Sequence, residues 1–393
     1  MISRRLNPPR SSALLFGPRM TGKSTWLRHH CPDWLWIDLL QEDNFQLYLS
    51  DPSRLRKEAL ALREKPAGVV IDEIQRVPAL LNEIQSLIEE RGLRFFISGS
   101  SARKLKRGGA NLLAGRAVEL RLFPLTLPEI QAYAGAPAFH LDDALKFGTL
   151  PKVYLSDATE KKRILKTYAG TYLHQEIQAE GLVRNLPSFS KFLAIAAETC
   201  GQEVNYSEIS RETTVKSKTI REYFAVLQDT WLGYLLPPWE KSVRKQLAGS
   251  PKFYFFDNGV TNALRESLSG LLAPEARGTL FEQWIINEIR AELSYRDFEG
   301  SFYFWRARGG SEVDLLIARG SKPMAAIEIK HTSNPGPKHL AGLKSIAEEY
   351  PKLDRFLVCT VARPYVDAGI RVCNYTQFLA ELGSGKMRMG AGP

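Results

Sequence analysis

Through the first third of the chain, short runs of β-branched and aromatic residues alternate with longer stretches in which apolar positions recur every three or four residues. The short runs, Ala13–Phe16, Leu35–Leu39, Val69–Asp72, Leu93–Ser98 and Val118–Leu122, are bounded by Gly, Pro or charged residues. Such runs predict strands buried on both faces, because helices covering both sides of a parallel sheet leave no solvated face to alternate toward. Between the third and fourth runs, Val77–Glu90 sets Leu80, Ile84, Leu87 and Ile88 on one helical stripe. An α/β fold follows, a doubly wound parallel sheet with helices on both faces.

Beyond Pro124 the pattern turns helical. Leu125 to Leu186 reads as a helical lid or connector, broken at Gly135-Ala136-Pro137 and at Gly148-Thr149-Leu150-Pro151. From Ser188 to about Thr230 three helices can be drawn: over Phe189–Cys200, from Ser207, and from Ser217, whose hydroxyl suits an N-cap. In the last of these Ile220, Phe224 and Leu227 share a face, while Lys216, Lys218 and Arg221 crowd the first turn or the opposite side. This is a helix-turn-helix pattern whose cations are candidate contacts to DNA phosphates, although a winged helix used only for packing fits it equally well. A Pro237-Pro238 break and a basic stretch (Lys241, Arg244, Lys245, Lys252) precede the aromatic run Phe253–Phe256, read as a wing or bridging strand. Helix Leu280–Leu293 and strands Phe302–Arg306, Glu312–Ile317, Ala325–Lys330 and Arg355–Thr360 then form a separate α/β unit. The expected division is a sheet domain over 1–134, a helical lid over 135–186, a winged-helix-like segment over 187–274, a small α/β domain over 275–382 and a disordered tail over 383–393.

Composition narrows the setting. No uncharged apolar run approaches the ~20 residues of a membrane span, and Met1 to Ser12 lacks the apolar stretch of a secretory leader, so the cytoplasm is the expected compartment and no membrane partner is expected. Cys31, Cys200, Cys359 and Cys373 lie far apart, without the spacing of a zinc or redox motif, and read as reduced buried thiols. Lys and Arg number 53 against 43 Asp and Glu, a formal net charge of +10, which favours a polyanionic partner such as DNA without requiring one.

The chemistry concentrates first at Gly17-Pro18-Arg19-Met20-Thr21-Gly22-Lys23-Ser24, followed by Thr25. A loop that wraps phosphates needs glycines where main-chain N–H groups turn inward, a Lys to reach the β and γ oxygens and a hydroxyl to ligate Mg²⁺. This loop has all three, between a strand and a helix. ATP and Mg²⁺ are the expected ligands. Downstream, Val69-Val70-Ile71-Asp72-Glu73 delivers Asp72 to the sheet edge where open parallel sheets bind ligands, suited to Mg²⁺, and Glu73 to orient the attacking water. Ser98 or Ser100, at the end of the fourth run, is placed to sense the γ-phosphate in preference to Ser101. Arg116 is a candidate to stabilise phosphate charge, in its own chain or a neighbouring subunit, with a surface ion pair as the rival reading. A homo-oligomer is thereby left open.

The runs Leu15–Thr25, Val70–Leu80, Phe96–Ser101 and Leu113–Arg116 resemble a prokaryotic AAA+-type ATPase family that joins an AAA-14 domain to a DUF4143 C-terminal domain. The resemblance spans nearly the whole chain. It implies an AAA-like P-loop sheet in which the strand carrying the Walker B acids lies beside the sensor strand.

In Ala326-Ile327-Glu328-Ile329-Lys330, strand alternation puts Glu328 and Lys330 on one face. Asp314 lies in a neighbouring strand joined through a turn at Arg319-Gly320-Ser321. Asp314 and Glu328 are candidate ligands of one Mg²⁺, Lys330 a candidate to orient water or neutralise phosphate charge, and Glu282 on the preceding helix completes the acid set. The order of these groups resembles the PD-(D/E)XK nuclease superfamily, with Val313 in place of its proline, and DUF4143 domains look like members. The resemblance implies either phosphodiester hydrolysis or a nuclease fold kept for binding and assembly. A small-molecule kinase would share the phosphate loop, but no acceptor-site motif accompanies it.

Overall fold

The computed structural model describes residues 2–61, 67–101, 113, 115–135, 137–173, 185–240, 249–307, 309–385 and 387. Five parallel strands form the first sheet: β1 (Ser12–Phe16), β2 (Leu35–Asp38), β3 (Val69–Asp72), β4 (Phe95–Gly99) and β5 (Ala117–Arg121), in the order β2-β3-β4-β1-β5. β1, β3 and β4 are buried throughout. Alternation splits their side chains between two cores: Leu14, Phe16, Val69, Ile71, Phe95 and Ile97 face helix Leu80–Arg91 through Leu80, Ile84 and Leu87, while Ala13, Leu15, Val70 and Phe96 pack against Trp26 and Leu27 of helix Lys23–His30. The edge strand β5 instead exposes Val118, Glu119 and Arg121, a charged edge that discourages further pairing. β3 lies against β4, the adjacency the resemblance implies.

Helices Leu127–Ala132, Leu141–Phe147, Pro151–Tyr154 and Ala158–Thr167, the last running into a π-helical turn at Tyr168–Tyr172, follow the sheet. The remainder of the expected helical stretch, 174–184, lies outside the described residues. Helices Leu186–Glu198, Tyr206–Thr213 and Ser217–Asp229 come next, then an antiparallel pair, β6 (Gly233–Leu236) and β7 (Lys252–Phe255). Ile220, Phe224 and Leu227 are buried as their spacing predicts. Ser217 is the first helical residue rather than the N-cap: Lys216 holds the cap position and makes no side-chain cap bond. Basic residues Lys241, Arg244 and Lys245 lie outside the described residues.

Helix Pro274–Tyr295, longer than expected, has buried residues on every side. It leads into a mixed sheet of β8 (Ser301–Arg306), β9 (Glu312–Arg319), β10 (Lys322–Ile329), β11 (Asp354–Cys359), β12 (Tyr365–Asp367) and β13 (Ile370–Asn374), ordered β12-β13-β11-β10-β9-β8. β9 and β10 are antiparallel with Arg319 opposite Lys322, so the connection is a two-residue turn, Gly320-Ser321. Helices Ala341–Glu349 and Tyr375–Gly383 complete the unit. The expected disordered tail therefore needs correction at its start: Gly383 ends a helix and its carbonyl accepts from Arg5, and Met387 is buried. All four cysteines are free and buried. Among the described residues, no helix is long and apolar enough to cross a membrane.

The N-terminal arm ties the first sheet to the last helical unit. The Arg4 side chain is buried; it pairs with Glu129 at 3.0 Å and donates to the carbonyls of Thr21 (2.7 Å) and Phe123 (2.6 Å) and to the Tyr295 hydroxyl (3.0 Å). Arg5 pairs with Glu292 at 3.0 Å. Glu288 accepts from the main-chain N–H of Leu127 at 2.9 Å, and burial holds its carboxyl well above the usual range. One helix thus presents Tyr295, Glu292 and Glu288 to the sheet domain, while Glu282, about 20 Å from Tyr295 and about 9 Å from Glu288 along the same axis at ~1.5 Å per residue, belongs to the C-terminal site.

Candidate functional site

β1 ends at Phe16 and the loop Gly17–Gly22 turns into helix Lys23–His30. Gly17 has φ +151°, and a Cβ there would lie 2.3 Å from the Leu122 carbonyl oxygen. Gly22 precedes the helix in the left-handed region at φ +95°. Both positions favour glycine for backbone reasons. Met20, at φ 67°, shares that region without being glycine, a conformation that is uncommon outside functional turns. Thr21 Oγ1 donates to the Pro18 carbonyl at 2.9 Å. The buried Lys23 ammonium donates to the carbonyls of Gly17 at 2.8 Å and Pro18 at 3.1 Å. It is folded back over its own loop, on neutral acceptors that a phosphate oxygen outcompetes. Ser24 is half-buried and Thr25 exposed at the start of the helix.

Opposite the loop, Asp72 is buried at the end of β3 and accepts from Ser98 Oγ. Ser98 also accepts from the Glu73 main-chain N–H at 3.1 Å. Glu73 adopts φ 62° and caps a short 3₁₀ turn, Ile74–Arg76. Its carboxylate accepts from Gln75 Nε2, which also donates to Ser100 Oγ at 3.0 Å. The acid strand and the sensor strand are therefore cross-linked twice, through Ser98 and through Gln75 to Ser100. Ser101 Oγ is buried with no hydrogen-bond partner among the described residues. A cavity of about 500 Å³ opens here, lined by Arg19, Met20 and Glu73 from the sheet domain and by Lys152, Arg163 and Tyr172 from the following helices. Arg19 lies over the Tyr172 ring at 5.9 Å. The glycine-dependent loop, the loop-facing ammonium, and oxygen donors at Ser24 and Asp72 fit a nucleotide with Mg²⁺.

Arg116 requires a correction. β5 runs parallel to β1 with Ala117 opposite Ser12 and Arg121 opposite Phe16. Arg116 therefore sits at the sheet edge opposite the phosphate loop, about 16 Å away at ~3.3 Å per residue, and its guanidinium pairs with Glu89. It does not reach the phosphates of its own chain.

The second site lies at one end of the mixed sheet. Asp314 and Glu328 occupy adjacent strands, and Lys330 bridges them, with Nζ 2.9 Å from Asp314 Oδ2 and 2.7 Å from Glu328 Oε1. Asp314 Oδ2 also accepts from the main-chain N–H of Ile329 at 2.8 Å. Glu282 approaches from the long helix and accepts from the Tyr254 hydroxyl at 2.6 Å. Burial, reinforced by the negative charge of Asp314, raises the carboxyls of Glu282 and Glu328 above their ordinary range. Burial works against the Lys330 charge, but Asp314, Glu328 and Glu282 outweigh it and the ammonium is held above its usual value. The donors are hard oxygens of the kind Mg²⁺ or Mn²⁺ prefers, and among the described residues Glu328 Oε2 is buried with no hydrogen-bond partner. By donor chemistry the set fits a divalent ion. Among the described residues, however, no three His, Cys, Asp or Glu side chains already stand as a metal cage. Lys216, Lys218 and Arg221 are exposed on helix Ser217–Asp229, and Arg221 stacks on the Tyr206 ring at 3.8 Å.

Sequence reasoning gave no site role to Arg4, Gln75, Lys152, Arg163, Tyr172 or Tyr254, and it placed Lys252 only in a basic stretch. Gln75 lies two residues beyond the acid it holds, close enough in sequence to have been considered. Arg4, Lys152 and Arg163 reach the first site only through tertiary packing.

Three family models match consecutive stretches of the chain: an AAA domain over residues 9–131, a domain of unknown function (DUF8612) over 138–271 and a second such domain (DUF4143) over 277–378. Curated relatives include the uncharacterized protein Rv2008c of Mycobacterium tuberculosis, 28% identical over 329 residues, which are 82% of this chain and 70% of that one. The uncharacterized protein MJ1544 of Methanocaldococcus jannaschii is 24% identical over 343 residues, 81% of this chain and 75% of that one. Among solved structures, the Aeropyrum pernix ORC1 protein in complex with DNA is similar at 15% identity and a TM-score of 0.30, over 66% of this chain and 87% of that one.

Proposed function

We propose that this chain, an AAA domain joined to a DUF4143 domain, hydrolyses ATP with Mg²⁺ and couples its nucleotide state to a C-terminal half that binds DNA. The observation that carries the ATPase reading is the loop after β1, whose lysine rests on its own carbonyls beside a cavity lined by Arg19 and Met20 of that loop and by Glu73. Main-chain N–H groups of Arg19 to Lys23 wrap the phosphates, and Lys23 exchanges its carbonyl partners for phosphate oxygens. Ser24 and Asp72 would hold Mg²⁺, which when bound neutralises charge on the phosphate oxygens. Glu73, released from Gln75, orients the attacking water and accepts its proton. Ser98 and Ser100 keep the acids in register. Arg116 can act only on the nucleotide of a neighbouring copy.

DNA binding is supported by the net charge of +10 and the exposed cations of helix Ser217–Asp229. Comparing the ATP hydrolysis rate with and without double-stranded DNA tests the coupling: an identical rate at saturating DNA would remove it. A non-catalytic switch is a second reading of the C-terminal half, favoured by one observation, that lysines already neutralise its acids. Mg²⁺- or Mn²⁺-dependent nicking of plasmid DNA, lost in Asp314→Ala and kept in Lys23→Ala, separates a nuclease from that switch.

A further inference from the structure

β7 reads Lys252-Phe253-Tyr254-Phe255, and alternation gives it two different faces. Phe253 and Phe255 pack against each other at 4.9 Å, and Phe253 packs at 4.9 Å on Phe224 of helix Ser217–Asp229. The other face meets the C-terminal acids. Tyr254 holds Glu282 at 2.6 Å, and Lys252 pairs with Glu312 with its Nζ 3.9 Å from Glu282. The Lys252 side chain is only 6% exposed, a burial that an ammonium tolerates only when partnered.

Lys330 bridges Asp314 and Glu328, and Lys252 is a second ammonium of the same cluster, paired with Glu282 and Glu312, from the segment matched by a different family model, DUF8612. Among the described residues, Glu328 Oε2 is buried without a hydrogen-bond partner, and its residue is 7% exposed. Carboxylate oxygen at such a place favours a further cation, yet a divalent ion engaging Glu282 would share that carboxylate with Lys252 and be repelled by it.

We infer that Lys252 is a built-in counter-cation that competes with a divalent ion for Glu282, so that the strand packed behind helix Ser217–Asp229 sets the metal affinity of the C-terminal site. This rests on the reading of Glu282, Asp314 and Glu328 as a cation-binding set. Contacts that shift the helix move Phe253, and with it Lys252, one residue away.

Titration of the full-length chain with Tb³⁺ tests the inference, because Tyr254 against Glu282 provides an ultraviolet antenna beside the ion. The binding component abolished by Glu328→Gln is taken as the site. Lys252→Met should bind about tenfold tighter than wild type, since one positive charge beside the ion is gone, and Lys252→Arg, which keeps the charge, should match wild type. Equal affinity for wild type and Lys252→Met overturns the role of Lys252 and leaves the cation site standing. Absence of any component sensitive to Glu328→Gln overturns both. A measurement on the unaltered chain needs no variant to fold: acetic anhydride labelling of Lys252, read by mass spectrometry, should rise several-fold on saturation with Mn²⁺, and an unchanged rate overturns the competition.

Discussion

The two sites manage charge in opposite ways. In the phosphate loop, a buried lysine donates to neutral carbonyls beside a cavity; an incoming polyanion replaces these ion–dipole contacts with an ion pair. At the end of the mixed sheet, buried acids are paired with lysines of the same chain, with Glu328 Oε2 left without a hydrogen-bond partner among the described residues. An incoming cation must break an existing ion pair before making its own contacts, and a buried pair is costly to break. The first site is therefore poised for its ligand, whereas the second is closed by its own side chains and depends on what moves them.

The comparison breaks most directly at Lys23. Lys23→Ala should weaken ATP binding by about 100-fold, the loss expected for a charge-assisted phosphate contact of about 3 kcal/mol, with terbium binding at the C-terminal site unchanged. Fluorescent-nucleotide titration reads the first quantity, and a parallel fall in the second would show that the sites are not separately organised. Glu73→Gln should keep nucleotide affinity and reduce turnover by roughly 100- to 1,000-fold, the range for loss of a positioned base, in a steady-state phosphate-release assay. Turnover within a fewfold of wild type would remove Glu73 from that role.

The seam between the two regions gives the next effects. Arg4→Ala leaves Glu129 buried without its guanidinium, and denaturant unfolding should report a loss of about 3 kcal/mol. Asp257 lies in the same seam, accepting from the main-chain N–H groups of Thr149 (2.9 Å) and Val260 (3.2 Å). Burial raises its carboxyl to about 6, above the ordinary ~3.9 of the unfolded chain. The folded state therefore binds the proton more tightly. The stabilisation is complete below about pH 4, falls as pH rises to about 6 and is flat above, a decline on the order of 2–3 kcal/mol. Asp257→Asn should remove that slope from the pH dependence of the denaturant midpoint. The smallest effect belongs to Arg116: Arg116→Ala should leave nucleotide affinity unchanged at protein concentrations where the chain is monomeric, and a tenfold loss there would contradict the placement fixed by the β1–β5 register.

Much of the molecule was legible before any coordinates. The five strands of the first sheet lie within two residues of their predicted limits, and for β1, β3 and β4 the reason is that strands buried on both faces are apolar throughout and leave a plain mark in the sequence. The loop with Lys23 and the strand ending in Asp72 were readable for a related reason: ligand wrapping by consecutive main-chain groups is a local property. Asp314, Glu328 and Lys330 were brought together correctly by alternation across one hairpin. Ser217 was misread because a serine before an apolar stripe suits both a cap and a first turn, and the chain places Lys216 at the cap. Arg116 was left with two readings, since nothing local says at which sheet edge a residue between elements will lie. Lys252 and Tyr254 were missed as a pair although their alternation with two phenylalanines was visible.

By itself the sequence determined the strands, the phosphate loop and the identities of the acids, all features encoded within about twenty consecutive residues by periodicity, backbone need or motif. Tertiary structure alone decided that Arg4 joins the Thr21 carbonyl to Tyr295 across the chain, that Arg116 faces away from its own nucleotide loop, and that a lysine from β7 enters the acids of the last domain. These depend on how separately folded pieces dock, where partners are chosen by burial and charge between residues tens to hundreds of positions apart, and no local pattern records that choice.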